Sequence, residues 1–234
     1  MQKVIALTTF AGHKIRHMLK TKIKAGSITN LTDARYFAAR GVHWLGFDLS
    51  PGSDNYMAPA QALAIKEWVD GVEIVGEYNL EPAEEIRTAA AELGLDAVQL
   101  SMVAADTVIR ELVSELPVIK EIVPGYYHSA EDLKELFESA PEGIRYFLLN
   151  LEKNSFTWQD IQAGSPFSLA TIREICREFP VLLALNFKPA EVTEILEELP
   201  LKGLHLKGGD EEKVGFKSFD DLDEILDLLE DTDE

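Results

Sequence analysis

The chain has 234 residues, 46% of them apolar, with 41 Asp and Glu against 22 Lys and Arg and a formal charge of -19. That length suits one α/β barrel or two small domains, with ample apolar material for one large core. The acidic balance argues against nucleic acid, whose phosphates demand a basic surface, and against anionic membranes.

No run of 18 apolar residues occurs, so no transmembrane helix is predicted. Met1–Thr21 carries Lys3, Lys14, Arg16 and Lys20 on a short, broken apolar stretch with no small-residue cleavage site, which is a poor signal peptide. It is expected to be an extension leaning on the domain, with residues 22–229 forming the fold and 230–234 an acidic tail. Asp220–Glu234 holds nine acids and no base, the pattern of a solvated face on a final helix. The single cysteine, Cys176, cannot form an internal disulfide and fits a reducing, cytoplasmic setting. Its neighbours Ile172, Ile175 and Phe179 recur at helical spacing, so it is expected to be a core thiol.

From Lys22 onward short apolar runs alternate with amphipathic stretches eight times. The predicted strands are Lys22–Ser27, Trp44–Leu49, Glu73–Tyr78, Ala97–Ser101, Val118–Val123, Tyr146–Leu151, Val181–Asn186 and Gly203–Lys207. Between the third and fourth, Ile86, Ala89, Ala90 and Leu93 make an i, i+3, i+4, i+7 stripe that stops at Gly94. Thr32-Asp33 and Ser129-Ala-Glu-Asp132 look like helix starts, and Asp220 opens the last helix. Strands this apolar are buried on both faces, as parallel strands are. Eight such units in one domain predict a (β/α)8 TIM barrel. The alternative, a doubly wound open sheet, lacks a G-x-G-x-x-G after the first strand.

Several segments then carry a resemblance in shared order. Lys22–Ala34 reads KIKAGSITNLTDA, and Gly41–Phe47 reads GVHWLGF. Pro51–Ala62 reads PGSDNYMAPAQA, Val75–Pro82 reads VGEYNLEP, and Leu93–Leu100 reads LGLDAVQL. Val118-Ile-Lys120, Phe156-Thr-Trp158 and Lys188-Pro-Ala-Glu-Val192 follow. Together, over about residues 22–229, these resemble the phosphoribosylanthranilate isomerases, whose first strand typically reads K-[IV]-K-[IV]-C-G-I-T-N-x-x-D-A.

The resemblance implies an Amadori rearrangement of tryptophan biosynthesis, with a Cys base on strand one and an Asp acid on strand six. In this chain those positions are Gly26 and Asn150. A general acid or base is worth about 10²–10⁴ in rate, so losing both implies a slowdown of about 10⁴ or more. The arginine that meets the anthranilate carboxylate is Asn55, which removes a planar bidentate partner. The glycine turn after strand seven is Ala184-Leu185-Asn186, and the one after strand six is Glu152-Lys153-Asn154-Ser155. Gly208 and Gly209 remain after strand eight, where their amides with Lys207 or Lys188 are candidates for holding a phosphate.

Strand parity is expected to point Lys24, Gln99, Lys120, Asn150, Asn186 and Lys207 toward the barrel axis. Lys24, Glu77 and His205 are the candidate substitutes for the missing acid and base. His205, which replaces an aspartate of the resemblance, is able to titrate near neutrality. A Schiff base on a mouth lysine is the signature of a different enzyme on the same rim, with ion pairing to Glu77, Asp48 or Glu121 as the structural alternative. His13 and His17 stand at i, i+4, but without an H-E-x-x-H pattern no metal site is expected. Tyr126-Tyr127-His128 is expected to pack as surface or lid, with ligand stacking as the alternative. No cofactor is expected.

Three readings stay open: an isomerase-like barrel without isomerase activity that binds a small phosphorylated ligand or a partner; an active isomerase with substituted groups; and a different small-molecule enzyme. A monomer or homodimer is expected, with no nucleic-acid or membrane partner.

Overall fold

The computed structural model describes residues 19–208, 211–213, 216–217 and 219–231. Eight parallel strands close in the order β1 to β8: β1 (Lys22–Gly26), β2 (Trp44–Asp48), β3 (Glu73–Tyr78), β4 (Ala97–Leu100), β5 (Val118–Ile122), β6 (Tyr146–Asn150), β7 (Val181–Ala184) and β8 (Gly203–Lys207). The ring is sealed by β1 against β8, with Lys24 opposite His205 and Gly26 opposite Lys207. The expected TIM barrel is therefore present, and the open sheet is not.

Helices follow the strands: α1 (Leu31–Ala39), α2 (Pro59–Lys66), α3 (Ala83–Leu93), α4 (Asp106–Leu112) and α5 (Ala130–Glu138). Two helices, α6 (Trp158–Ala163) and α7 (Leu169–Glu178), separate β6 from β7. They are followed by α8 (Pro189–Glu198) and α9 (Asp220–Leu229). Between β8 and α9 lies an antiparallel pair, β9 (Glu211–Lys213) with β10 (Phe216–Lys217).

Local chemistry sets several boundaries. α1 begins earlier than Thr32-Asp33, because the Asn30 side chain caps it by accepting from the Asp33 amide at 2.9 Å. Ser129 and Asp132 form the expected reciprocal capping box at α5. Gly94 ends α3 with φ +58°, the left-handed conformation glycine adopts without steric cost.

Alternate strand residues feed two cores. Trp44, Val75, Ala97, Ile119, Leu148, Leu182 and Ala184 fill the barrel interior. The opposite parity, including Ile23, Leu45, Val98, Leu149 and Leu183, packs against the helices. At the floor, Lys22 Nζ donates to the Tyr146 hydroxyl at 3.1 Å and lies 5.1 Å from the Trp44 ring centre.

Part of the acidic C-terminus is structural rather than merely solvated. Tyr36 Oη donates to Asp223 at 2.7 Å, and Arg40 pairs with Asp227 and with Glu230, fastening α9 to α1. Leu19 bridges to Glu230. Residues 1–18, with His13 and His17, lie outside the described residues, as do Gly209 and 232–234. Cys176 is buried in the core, and burial pushes its thiol up to about 12, which leaves it unreactive at neutral pH. No described helix is long and apolar enough to cross a membrane.

Candidate active site at the C-terminal mouth

The strand ends deliver a polar cluster into a cavity of about 280 Å³ at the C-terminal end of the barrel. It is lined by Ser27, Asp48, Asn55, Glu77, Gln99, Glu121, Asn150, Lys153, His205 and Lys207, among others. The expected Gly26 and Asn150 thus stand in one region with Glu77 and His205. Lys24 lies beneath, fully buried and ion-paired with Glu77. Glu77 also accepts from the Ser27 amide at 3.2 Å.

Glycines make room for this pair. A Cβ at Gly46 would lie 2.8 Å from Lys24 Nζ, and one at Gly26 would lie 2.7 Å from His205 Nε2 and 3.1 Å from Glu77 Oε1. His205 therefore occupies the space in front of position 26. Burial, with the ammonium groups of Lys24, Lys207 and Lys153 nearby, holds its imidazole well below the usual histidine range. It is neutral at pH 7, and its Nδ1 is buried with no hydrogen-bond partner.

Asn150 does not stand alone either. Its Nδ2 donates to Glu121 Oε1 at 2.8 Å, its Oδ1 accepts from the Lys153 amide at 3.1 Å, and Lys153 Nζ pairs with Glu121 Oε2 at 2.8 Å. A buried carboxylate thus sits one strand away from the amide. In the sequence Glu121 is expected only as an ion-pair partner of a mouth lysine and Lys153 only as part of the turn after strand six; both line the mouth. No local signal marks them, since the residues flanking Lys120 and Glu121 on β5 are apolar in both parities and Lys153 lies in the turn after β6.

Lys120 corrects that expectation. It faces the helix layer, opposite in parity to Ile119, and its Nζ donates to the carbonyls of Ser101, Met102 and Ala104 at 2.9, 3.1 and 3.4 Å. It is a cap on the loop after β4, not a group of the mouth. Burial lowers its pKa, and the ring of carbonyls compensates its ammonium group. Asn186 is also displaced from the axis, because β7 ends at Ala184 and Asn186 is exposed at the rim.

The rim beside it forms a second cavity of about 670 Å³, lined by Asn186, Lys188, Lys207, Gly208, Glu152, Asp220 and Asp221, among others. Lys207 Nζ is already paired with Glu152 at 2.8 Å, and Lys188 lies 3.4 Å from Glu191. Asp220 and Asp221 stand in the first turn of α9, where an anion would otherwise meet helix amides. Both lysines expected to serve a phosphate thus have carboxylate partners. Tyr126 packs on Phe156 and Tyr127 on His128, with ring centres 4.3 and 4.2 Å apart, as surface packing. Among the described residues no group of three or more His, Cys, Asp or Glu is arranged to hold a metal ion.

Comparison with known proteins gives these observations a lineage. The isomerase of Gloeothece citriformis is 27% identical over 213 residues, covering 89% of this chain and 92% of its own. That of Thermotoga petrophila is 32% identical over 102 residues, or 43% of this chain and 50% of its own. The crystal structure of phosphoribosyl anthranilate isomerase from Thermus thermophilus superposes with a TM-score of 0.66 at 28% identity, covering 89% of this chain and 98% of the other. A phosphoribosyl anthranilate isomerase in complex with reduced 1-(o-carboxyphenylamino)-1-deoxyribulose 5-phosphate shares the fold, with a TM-score of 0.69 at 22% identity over 88% of this chain and 96% of the other. The family model for N-(5'-phosphoribosyl)anthranilate (PRA) isomerase matches residues 23–228, and the chain belongs to that family.

Proposed function

We propose that this barrel keeps a small-molecule site at its C-terminal mouth but does not turn over phosphoribosylanthranilate at the rate of an ordinary isomerase. The observation that carries this reading is the pair of positions assigned to the proton-moving groups. Position 26 offers no side chain, and the space before it is filled by His205. Position 150 is an amide held between Glu121 and Lys153, with no titrating proton to give. The rim lysines are matched by carboxylates, which is a poor reception for a substrate carrying a phosphate and a carboxylate.

A second reading is supported by the family membership and by the curated relatives, which are named as isomerases. In it the isomerisation persists, with Glu77, Glu121 or His205 moving the protons from neighbouring strands. All three line the same cavity, so geometry supports their reach to one substrate.

Mixing purified protein with phosphoribosylanthranilate and following the loss of anthranilate-type fluorescence separates the two. The first reading expects a rate lower by about 10⁴ or more than that of an ordinary isomerase. Turnover within about 10²-fold of one establishes the second. A cytoplasmic monomer or homodimer fits the single buried cysteine and the dimeric relative from Thermotoga maritima.

A further inference from the structure

His205 reaches the mouth with a ring nitrogen that no side chain holds. The residue is 3% exposed, and it lines both the mouth cavity and the rim cavity beside it. Its Nδ1 is sealed off, whereas Nε2 is not, and Nε2 has no hydrogen-bond partner among the described residues. Position 26 is the reason. A Cβ there would stand 2.7 Å from Nε2, and Gly26 has none, so β1 leaves the nitrogen uncovered. A polar nitrogen on a ring this buried is ordinarily hydrogen-bonded, and the cavity is where its partner has room.

The surrounding charges disfavour an ionic partner of either sign. Lys24, Lys207 and Lys153 oppose protonation of the imidazole, and the same ammonium groups repel a cationic group brought to Nε2. An anionic group finds those ammonium groups already matched: Lys24 by Glu77, Lys153 by Glu121 and Lys207 by Glu152. An uncharged hydroxyl meets neither penalty. It can donate or accept, so it satisfies Nε2 in either tautomer of the neutral ring. Further hydroxyl partners line the same cavity. Ser27 Oγ donates to Glu77 Oε2 at 3.4 Å and keeps its own acceptor capacity. Lys153 Nζ uses one of its protons on Glu121, and Glu121 accepts a single described bond at each oxygen.

We infer that the mouth binds an uncharged polyhydroxy compound, with one hydroxyl on His205 Nε2 and others toward Ser27, Lys153 and Glu121. The inference rests on the reading that the mouth keeps a small-molecule site, and it names that ligand's class. Each hydroxyl both donates and accepts, which suits a wall where donors and acceptors alternate and the charges are paired within the protein. The cavity of about 280 Å³ admits a molecule of sugar-alcohol size.

The test titrates the full chain with xylitol and with sorbitol, and with 1,4-diaminobutane and inorganic phosphate as charged comparisons, at fixed ionic strength. Binding is read by calorimetry and by the NMR shift of the His205 Nε2 resonance. At least one polyol should saturate with a Kd of about 1 mM or tighter, and should move that resonance with the same concentration dependence. It should bind at least tenfold more weakly to His205→Leu, and Glu138→Gln, at an exposed position on α5, should bind it as the native chain does. Ser27→Ala, which leaves the ring in place, should weaken binding at least threefold and keeps the affinity comparison available if His205→Leu does not fold. The inference is overturned if neither polyol saturates, if the bound polyol leaves the His205 resonance unmoved, or if the mouth variants that fold bind it as tightly as the native chain. A shift at His205 from the diamine or from phosphate, with none from either polyol, overturns it while leaving a mouth site in place. The fluorescence assay with phosphoribosylanthranilate bears separately on the underlying reading, so a failed polyol titration and an active isomerase are distinct results.

Discussion

The His205 imidazole stands where any side chain at position 26 would have to go, with Nε2 only 2.7 Å from a Cβ built on Gly26. The two residues share one volume across the β1–β8 seam: position 26 carries no side chain, and the imidazole from the neighbouring strand fills the space in front of it. The imidazole is buried and neutral, so the space in front of Gly26 is filled.

Introducing a cysteine at position 26 alone should therefore harm the protein. Gly26→Cys forces the thiol and the imidazole to overlap, and overpacking a buried site costs about 1–3 kcal/mol. Gly26→Cys with His205→Ala should recover much of that loss, giving a coupling of about 1 kcal/mol or more in a double-mutant cycle read by denaturant unfolding. Additive effects would mean that the two side chains do not share the space.

Lys24 and Glu77 form a second coupled pair. Lys24→Ala leaves the Glu77 carboxylate uncompensated beside the core, and removing one partner of a buried ion pair costs about 3–5 kcal/mol. Lys24→Met with Glu77→Leu removes both charges at similar volume and should be far closer to wild type in midpoint denaturant. A double variant as damaged as Lys24→Ala would show that the pair's worth lies in something other than mutual neutralisation.

Much of this was legible in the sequence, for physical reasons. All eight strands start at the predicted residues, because burial on both faces demands the short apolar runs that mark them. Their predicted ends overshoot by one residue at Ser27, Leu49, Ser101, Val123 and Leu151, where the chain leaves the ladder while remaining apolar or small, and by two at the polar Asn186. The mouth was partly legible: Lys24, Glu77, Gln99, Asn150, His205 and Lys207 do converge. β5 was not, because Val118, Ile119 and Ile122 are apolar in both parities, so no alternation told which of Lys120 and Glu121 faces inward. The pairing of Lys207 with Glu152 depends on the turn Glu152–Asn154 and has no local sequence signal.

The outward lysine gives a prediction that separates stability from binding. Lys120→Met keeps the buried stem but strips three carbonyls of their donor, and hydrogen bonds from charged groups contribute about 1.5–3 kcal/mol. A fall in Tm of roughly 4–8 °C is expected for a domain of this size at about 2 kcal/mol. Ligand affinity at the mouth should be unchanged, since the Nζ group faces the helix layer. A large loss of affinity with unaltered Tm would contradict that placement.

His205 sets the sign of one pH dependence. Its folded pKa is well below the ordinary 6.5, through burial first and then the charges of Lys24, Lys207 and Lys153. Above that ordinary value both folded and unfolded chains carry a neutral imidazole, and the group adds no slope. Below it the unfolded chain takes up a proton that the folded chain refuses, so stability falls as pH falls, until the depressed folded pKa is reached. The slope from one such group is limited to about 1.4 kcal/mol per pH unit. Asp48, raised by burial, runs in the opposite sense, since a folded state that holds its proton more tightly gains stability on acidification. Subtracting the curve of His205→Gln from that of the wild type isolates the imidazole, because Asp48 contributes to both. The difference in unfolding free energy should be level between about pH 7 and 8 and should decline steadily from about pH 6.5 downward. A level difference through pH 5 would mean that His205 protonates in place, and the neutral, volume-filling role assigned to it beside Gly26 would fail with it.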